Sequence, residues 1–206
     1  ISATQAAAVH ANEKRRFPIS SILLRILSRS PPPASFYVGF SAFHALCSHL
    51  VSKMLDIRTY GDPVLREPSR PVEKITPEIR TLVDDMFATM RAAQGVGLAA
   101  QQVGRTESVC VVELPESYDV EEENGPRLNP GVPLALALIN PRIVEASGET
   151  CSMEEGCLSF PDIRGNVERP WRIVVEYLGL DGKPKTTPLA GFFARAAQHE
   201  MDHLAG

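Results

Sequence analysis

Apolar residues recur along one side of a helix between Thr76 and Gly95. Ile79, Leu82, Val83, Met86, Phe87 and Met90 form a single stripe on a 3.6-residue period. Thr76 is a good N-cap, Pro77 suits the first helical position, Glu78 favours the positive end of the dipole and Gly95 marks a stop. The pattern predicts an amphipathic helix with one core-facing side. Ser108–Leu114 (SVCVVEL) and Arg172–Leu178 (RIVVEYL) are short apolar runs and read as strands. Leu134–Ile139 and Ile143–Glu145 are shorter strand candidates, split by Asn140-Pro141. Residues 115–133 carry Pro, Gly, Asn and a run of acids, and read as a loop. Leu180-Asp181-Gly182-Lys183 reads as a turn. A last helix is expected from about Phe192 to Leu204, with Gly206 near its C-cap. Strands and helices do not alternate, which predicts an α+β fold.

Composition changes this picture mainly at the N-terminal end. Residues 1–53 hold six of the 21 Lys/Arg and one of the 25 Asp/Glu, and are rich in Ala and Ser. They read as a leader, disordered or transit-like. Met54, followed by LDIRTYGDPVLR, reads as the start of a domain covering 54–206. That body then carries 15 basic against 24 acidic residues, a net of −9, which argues against a nucleic-acid groove. No run of 18 apolar residues occurs, so no membrane span is expected. Cys47, Cys110, Cys151 and Cys157 do not suggest a disulfide framework, and free thiols are expected.

The candidate chemistry sits at the C-terminal end. In His199-Glu200-Met201-Asp202-His203 the histidines are four apart, one turn of helix, on one face. Two imidazoles at that spacing suit a metal ion, and the adjacent glutamate could act on a bound water. The plainer reading is a charged helix with both histidines in water. Ala194, Ala196 and Ala197 keep this helix slim enough to run through a core, where such a cluster would be costly without a metal. A third ligand is needed. Cys157, in Glu155-Gly156-Cys157-Leu158-Ser159, would leave one position open for water. Alone it would be a structural thiol, and Cys151 and Cys110 compete for the role. Gly95–Gly104 (GVGLAAQQVG) allows close backbone approach, and its default reading is a tight connection from helix to strand. Glu121–Glu123 read as a solvated loop, and Glu154 beside Glu155 as surface. His10, His44 and His49 are assigned nothing.

Taken in order, GVGLAAQQVG, EGCLS and QHEMDH resemble the three motifs of peptide deformylase. The spacing fits too, with 52 residues from Gly104 to Gly156 and 42 more to Gln198. The resemblance covers about Met54 to Gly206. It departs at Gln101, where the family often has proline, and in ending three residues after His203, where members usually continue through another strand; the domain therefore reads as truncated at its C-terminus. The resemblance implies antiparallel or mixed sheets around a central metal-binding helix, with the N-terminal amphipathic helix alongside. It implies Cys157, His199 and His203 as metal ligands and Glu200 as general base and then acid. Gln102 and the Leu158 N–H would meet the developing oxyanion. Val96, Gly97, Gly156 and Arg164 would contact substrate, Val96 lining the pocket for the methionine side chain. The expected cofactor is one divalent ion, Fe²⁺ first, with Zn²⁺, Ni²⁺ or Co²⁺ able to occupy the site. The expected partners are N-formylmethionyl nascent peptides and the ribosome near its exit tunnel.

Two other functions share parts of this pattern. A zincin-type endopeptidase would share the helix, but it generally takes its last ligand downstream of the second histidine and would cleave unformylated internal bonds. An inactive binding module would need no stoichiometric metal. The compartment follows the leader: bacterial cytoplasm if translation starts at Met54, mitochondrion or plastid if residues 1–53 are a transit peptide.

Overall fold

The computed structural model describes residues 52–123 and 125–206. The leader expectation for 1–53, Cys47 and the N-terminal histidines lie outside the described residues, apart from Ser52 and Lys53. The first α-helix among the described residues, α1, spans Pro77–Ala92, capped by the Thr76 side chain as its sequence predicts, with Ala93 as its C-cap two residues before Gly95. Its buried side carries Ile79, Leu82, Val83, Met86 and Met90.

Seven strands follow. Strands β1 (Gly97–Ala99), β2 (Val109–Glu113), β3 (Ala135–Ala146), β6 (Arg172–Leu178) and β7 (Pro184–Ala190) form one antiparallel sheet in the order β1-β2-β3-β6-β7. Strands β4 (Thr150–Cys157) and β5 (Phe160–Pro170) make a separate two-stranded sheet. The last helix, α2, spans Gly191–Ala205. The apolar run in β2 has a direct cause. Val109 and Val111 pack toward α1, and Cys110 and Val112 pack toward α2. A strand covered on both faces needs no polar alternation. Ala194, Ala196 and Ala197 are buried on the sheet side of α2, so the helix passes through the interior. The α+β expectation, with sheets around a central helix, holds.

One expectation is corrected. Strand β3 runs through Asn140-Pro141 instead of splitting there. The register slips between Ile139 and Arg142, and Asn140 takes a left-handed φ of 50°. Its side chain bonds both Val72 N–H and Val72 C=O at 2.8 Å, so the bulge is paid back in hydrogen bonds to a distant segment. The loop expectation for 115–133 holds over its described residues, with a 3-10 turn at Glu116–Tyr118 and a bridge between Val120 and Arg127. The loop is pinned by buried Asp119, which accepts from Arg127 Nε at 2.7 Å and from Asn129. Asn129 in turn bonds both the N–H and the C=O of Ala190, where α2 begins. Gly191 opens α2 with φ 62°, and a Cβ there would meet Leu128 Cδ1 at 2.6 Å. The β4–β5 hairpin, β1 and β7 are strands that the apolar pattern does not predict. Among the described residues no helix is long and apolar enough to cross a membrane.

Candidate metal centre

Helix α2 presents His199 and His203 one turn apart, with ring centroids 5.2 Å apart at 73°. The tip of the hairpin brings in Cys157, whose Sγ lies 3.2 Å from His203 Nε2. The three ligand atoms all lie within 4.8 Å of one another. Two ligands on a tetrahedral ion, at about 2.3 and 2.1 Å from it, stand about 3.5 Å apart, so the cluster has the size of one ion's shell. Cys110 is fully buried under α2, and Cys151 lies six residues earlier on the hairpin. Neither joins the cluster; all three described cysteines are free.

Electrostatics fit a cation. Glu200 is 4% exposed, and its Oε2 has no hydrogen-bond partner. Burial, then the negative charge of Glu155, holds its carboxyl well above the usual carboxylate range. An orphaned carboxylate oxygen beside three soft and borderline donors is satisfied by a positive ion or by a water that the ion holds. Burial, then the neighbouring His199, pushes the His203 imidazole down to about 4, which leaves it neutral with a lone pair to donate. Burial raises the Cys157 thiol, and Glu200 adds to the effect; a bound cation reverses this because the thiolate is the ligand form.

Glu154 is exposed, as expected, while the side chain of its neighbour Glu155 is 9% exposed and faces the cluster. His199 Nδ1 lies 2.9 Å from its Oε2, so a proton on Nδ1 would donate to Glu155 and leave the Nε2 lone pair free to bind a metal. Arg169 donates to both of its oxygens, at 2.7 and 3.0 Å, and Arg195 to Oε1 at 2.6 Å. Burial alone would raise the Glu155 carboxyl; the hydrogen bonds from Arg169, His199 and Arg195 overcome it and bring it to about 2. One signal for Glu155 was present in the sequence: it stands two residues before Cys157, on the same face of a strand.

The other expected residues assemble around this core. Gln102 is buried on a 3-10 turn, Ala100–Val103, and accepts from Ala99 N–H at 2.8 Å. Its Nε2 points at Cys157 Sγ (3.4 Å) and Ser159 Oγ (3.2 Å). Leu158 directly follows the cysteine and packs beside the α1 core. Gly97 lies against the Glu200 carboxylate. Val96, half-buried, packs beside the α2 core. Gly156 and Arg164 line a cavity of about 350 Å³ together with Cys157, His199 and His203. Arg164 is exposed and held only loosely by Glu154 at 3.8 Å. The segment before α1 laces the parts together, since Arg58 N–H bonds Gln102 C=O and Tyr60 N–H bonds Ser159 C=O.

The family model for polypeptide deformylase matches residues 54–206. The peptide deformylase of Brachyspira hyodysenteriae is 44% identical over 147 residues, 71% of this chain and 74% of that protein. That of Desulforudis audaxviator is 44% identical over 153 residues, 74% and 89% of the two chains. Among solved structures, peptide deformylase from Thermotoga maritima superposes with a TM-score of 0.64 at 40% identity, over 74% of this chain and 92% of that one. The Ehrlichia chaffeensis enzyme in complex with actinonin does so at 0.64 and 42%, over 74% and 84%. The chain belongs to the polypeptide deformylase family, metal-dependent hydrolases that remove the formyl group from N-formylmethionine at the start of newly made polypeptides.

Proposed function

We propose that Cys157, His199 and His203 hold the ion and that Glu200 carries the proton chemistry of deformylation. The observation behind this reading is the buried Glu200 carboxylate, with one oxygen unpartnered, beside the three-ligand cluster. Iron(II) is the proposed native metal, since one thiolate and two imidazoles suit it; zinc, nickel and cobalt fit the same donors. Bound there, the ion supplies Lewis acidity, making a water acidic near neutral pH and polarising the formyl carbonyl.

The chain's own residues do the rest. Glu200 takes a proton from the water that attacks the formyl carbon and later delivers it to the departing amide nitrogen. The C–N bond breaks, and formate and a free amino terminus leave. Gln102 Nε2 and the Leu158 N–H donate to the formyl oxygen as charge grows on it; losing one such donor typically lowers the rate by roughly 10²–10³. Gly97, without a Cβ, leaves room for Glu200 and offers its backbone to the peptide. Val96 lines the side-chain pocket, and Gly156 and Arg164 flank the peptide beyond it. The substrate is met as it leaves the ribosome, where a new N-terminus first appears. Actinonin, seen bound to relatives, is the proposed competitive inhibitor.

The test is formate release from a formyl-Met peptide by wild type and Glu200→Ala. The reading expects release by wild type only, with metal content equal in both. A fully active Glu200→Ala variant overturns the assignment of the base.

A further inference from the structure

We infer that Arg195 is a positioning residue for the metal centre, one that sets where the hairpin carrying Cys157 stands against the helix carrying the histidines. The inference rests on reading Cys157, His199 and His203 as ligands. Strands β4 and β5 pair with each other in a sheet of their own, so the register of the five-stranded sheet does not dictate the distance from thiol to imidazoles. Something else must cross from α2 to the hairpin and hold it.

Arg195 makes that crossing. Its Nη1 donates to Glu155 Oε1 at 2.6 Å and to the Val167 carbonyl at 2.8 Å, and its Nη2 donates to the Cys151 carbonyl. One guanidinium thus grips β4 at two places and β5 at a third. The side chain is 5% exposed, and a buried guanidinium is tolerated only when paired in this way. Of the other ties, His199 Nδ1 meets the same Glu155 at 2.9 Å but is itself a group to be positioned, and the rest are weaker anchors. Arg169 reaches Asp202 at 2.8 Å, but that carboxylate is 70% exposed, and Gln198 Nε2 reaches only the end of the hairpin, at the Pro170 carbonyl.

Spacing explains why this position matters. Arg195 stands one turn before His199 on α2, and Glu155 stands two residues before Cys157 on the same side of β4. The Arg195–Glu155 pair is therefore a rung next to the rung where the histidines face Cys157. It also holds the carboxylate that orients His199, so one cation fixes a ligand on each element. A rigid fork is suited to this in a way an ammonium is not.

The experiment is Zn²⁺ affinity by competition with a chelator, together with the Co²⁺ absorption spectrum, for wild type, Arg195→Met and Arg195→Lys. Methionine keeps the bulk of the stem and removes the fork, so a packing role alone would leave both readouts unchanged. Positioning predicts a loss of about 10–100-fold in Zn²⁺ affinity for Arg195→Met, an altered Co²⁺ spectrum, and partial recovery in Arg195→Lys. Wild-type affinity and spectrum in Arg195→Met overturn the inference. If Arg195→Met does not fold, Arg195→Lys decides, and wild-type values there overturn it equally. A wild-type protein that binds no stoichiometric ion would instead sink the ligand assignment beneath it.

Discussion

The Glu200 carboxylate rests directly on Gly97, and a Cβ at position 97 would overlap its carboxyl group. Strand β1 and helix α2 therefore meet with the proposed general base pressed against bare backbone. Gly97→Ala forces that carboxylate aside. General acid–base catalysis is worth roughly 10²–10⁴ in rate, so kcat for formate release is expected to fall by about 10² or more. Metal content should stay at the wild-type level, because none of the three ligands is touched. Assay and metal analysis on one preparation check this, and an unchanged kcat would contradict the contact.

The orienting carboxylate predicts a pH signature in the metal-free protein. Glu155 is held at about 2, below its ordinary 4.5, by its hydrogen bonds from Arg169, His199 and Arg195. A depressed carboxylate stabilises the fold above its unfolded pKa, and that contribution is lost as pH falls through the folded one. Glutamine resembles the protonated acid. The stability gap between wild type and Glu155→Gln, measured by urea unfolding, should be constant above about pH 5. It should narrow below 4.5 and close near 2. A gap that does not change with pH would show that the charge of Glu155 is not what matters.

Helix α1, strands β2 and β6 and the histidine helix are legible in the sequence because each buries a periodic or continuous apolar set. The hairpin is not, because β4 alternates half-buried and exposed positions and β5 is exposed over most of its length. Strand β7 escapes for another reason: Pro184 and Pro188 sit in an edge strand, where a missing N–H does no harm. The Cys157, His199 and His203 cluster is legible from spacing and motif, since donor chemistry is written in residue types. Glu155 is not, because its burial depends on Arg169 and Arg195, 14 and 40 residues away. A carboxylate next to another acid reads as surface until the guanidiniums that enclose it are known.

The loop after β2 gives a prediction separate from catalysis. The Asp119 side chain is fully buried and receives Arg127 and Asn129, and through Asn129 it anchors the start of α2. Asp119→Ala leaves those donors without their acceptor, which costs about 1–3 kcal/mol. The melting temperature should fall by about 2–4 °C for each kcal/mol, with kcat for formyl-Met peptide within about twofold of wild type. A thermal melt and the formate assay check it; an unchanged Tm would mean the loop is not fastened through Asp119.

The central claim is that a thiolate from the hairpin and two imidazoles from α2 share one ion. The most direct measurement is anaerobic Co²⁺ titration of metal-free wild type and Cys157→Ala, followed by the thiolate-to-metal charge-transfer absorption. One equivalent of Co²⁺ should produce that band in wild type and no such band in Cys157→Ala. A band of undiminished intensity in Cys157→Ala, or a wild-type titration with no one-equivalent endpoint, would contradict the claim.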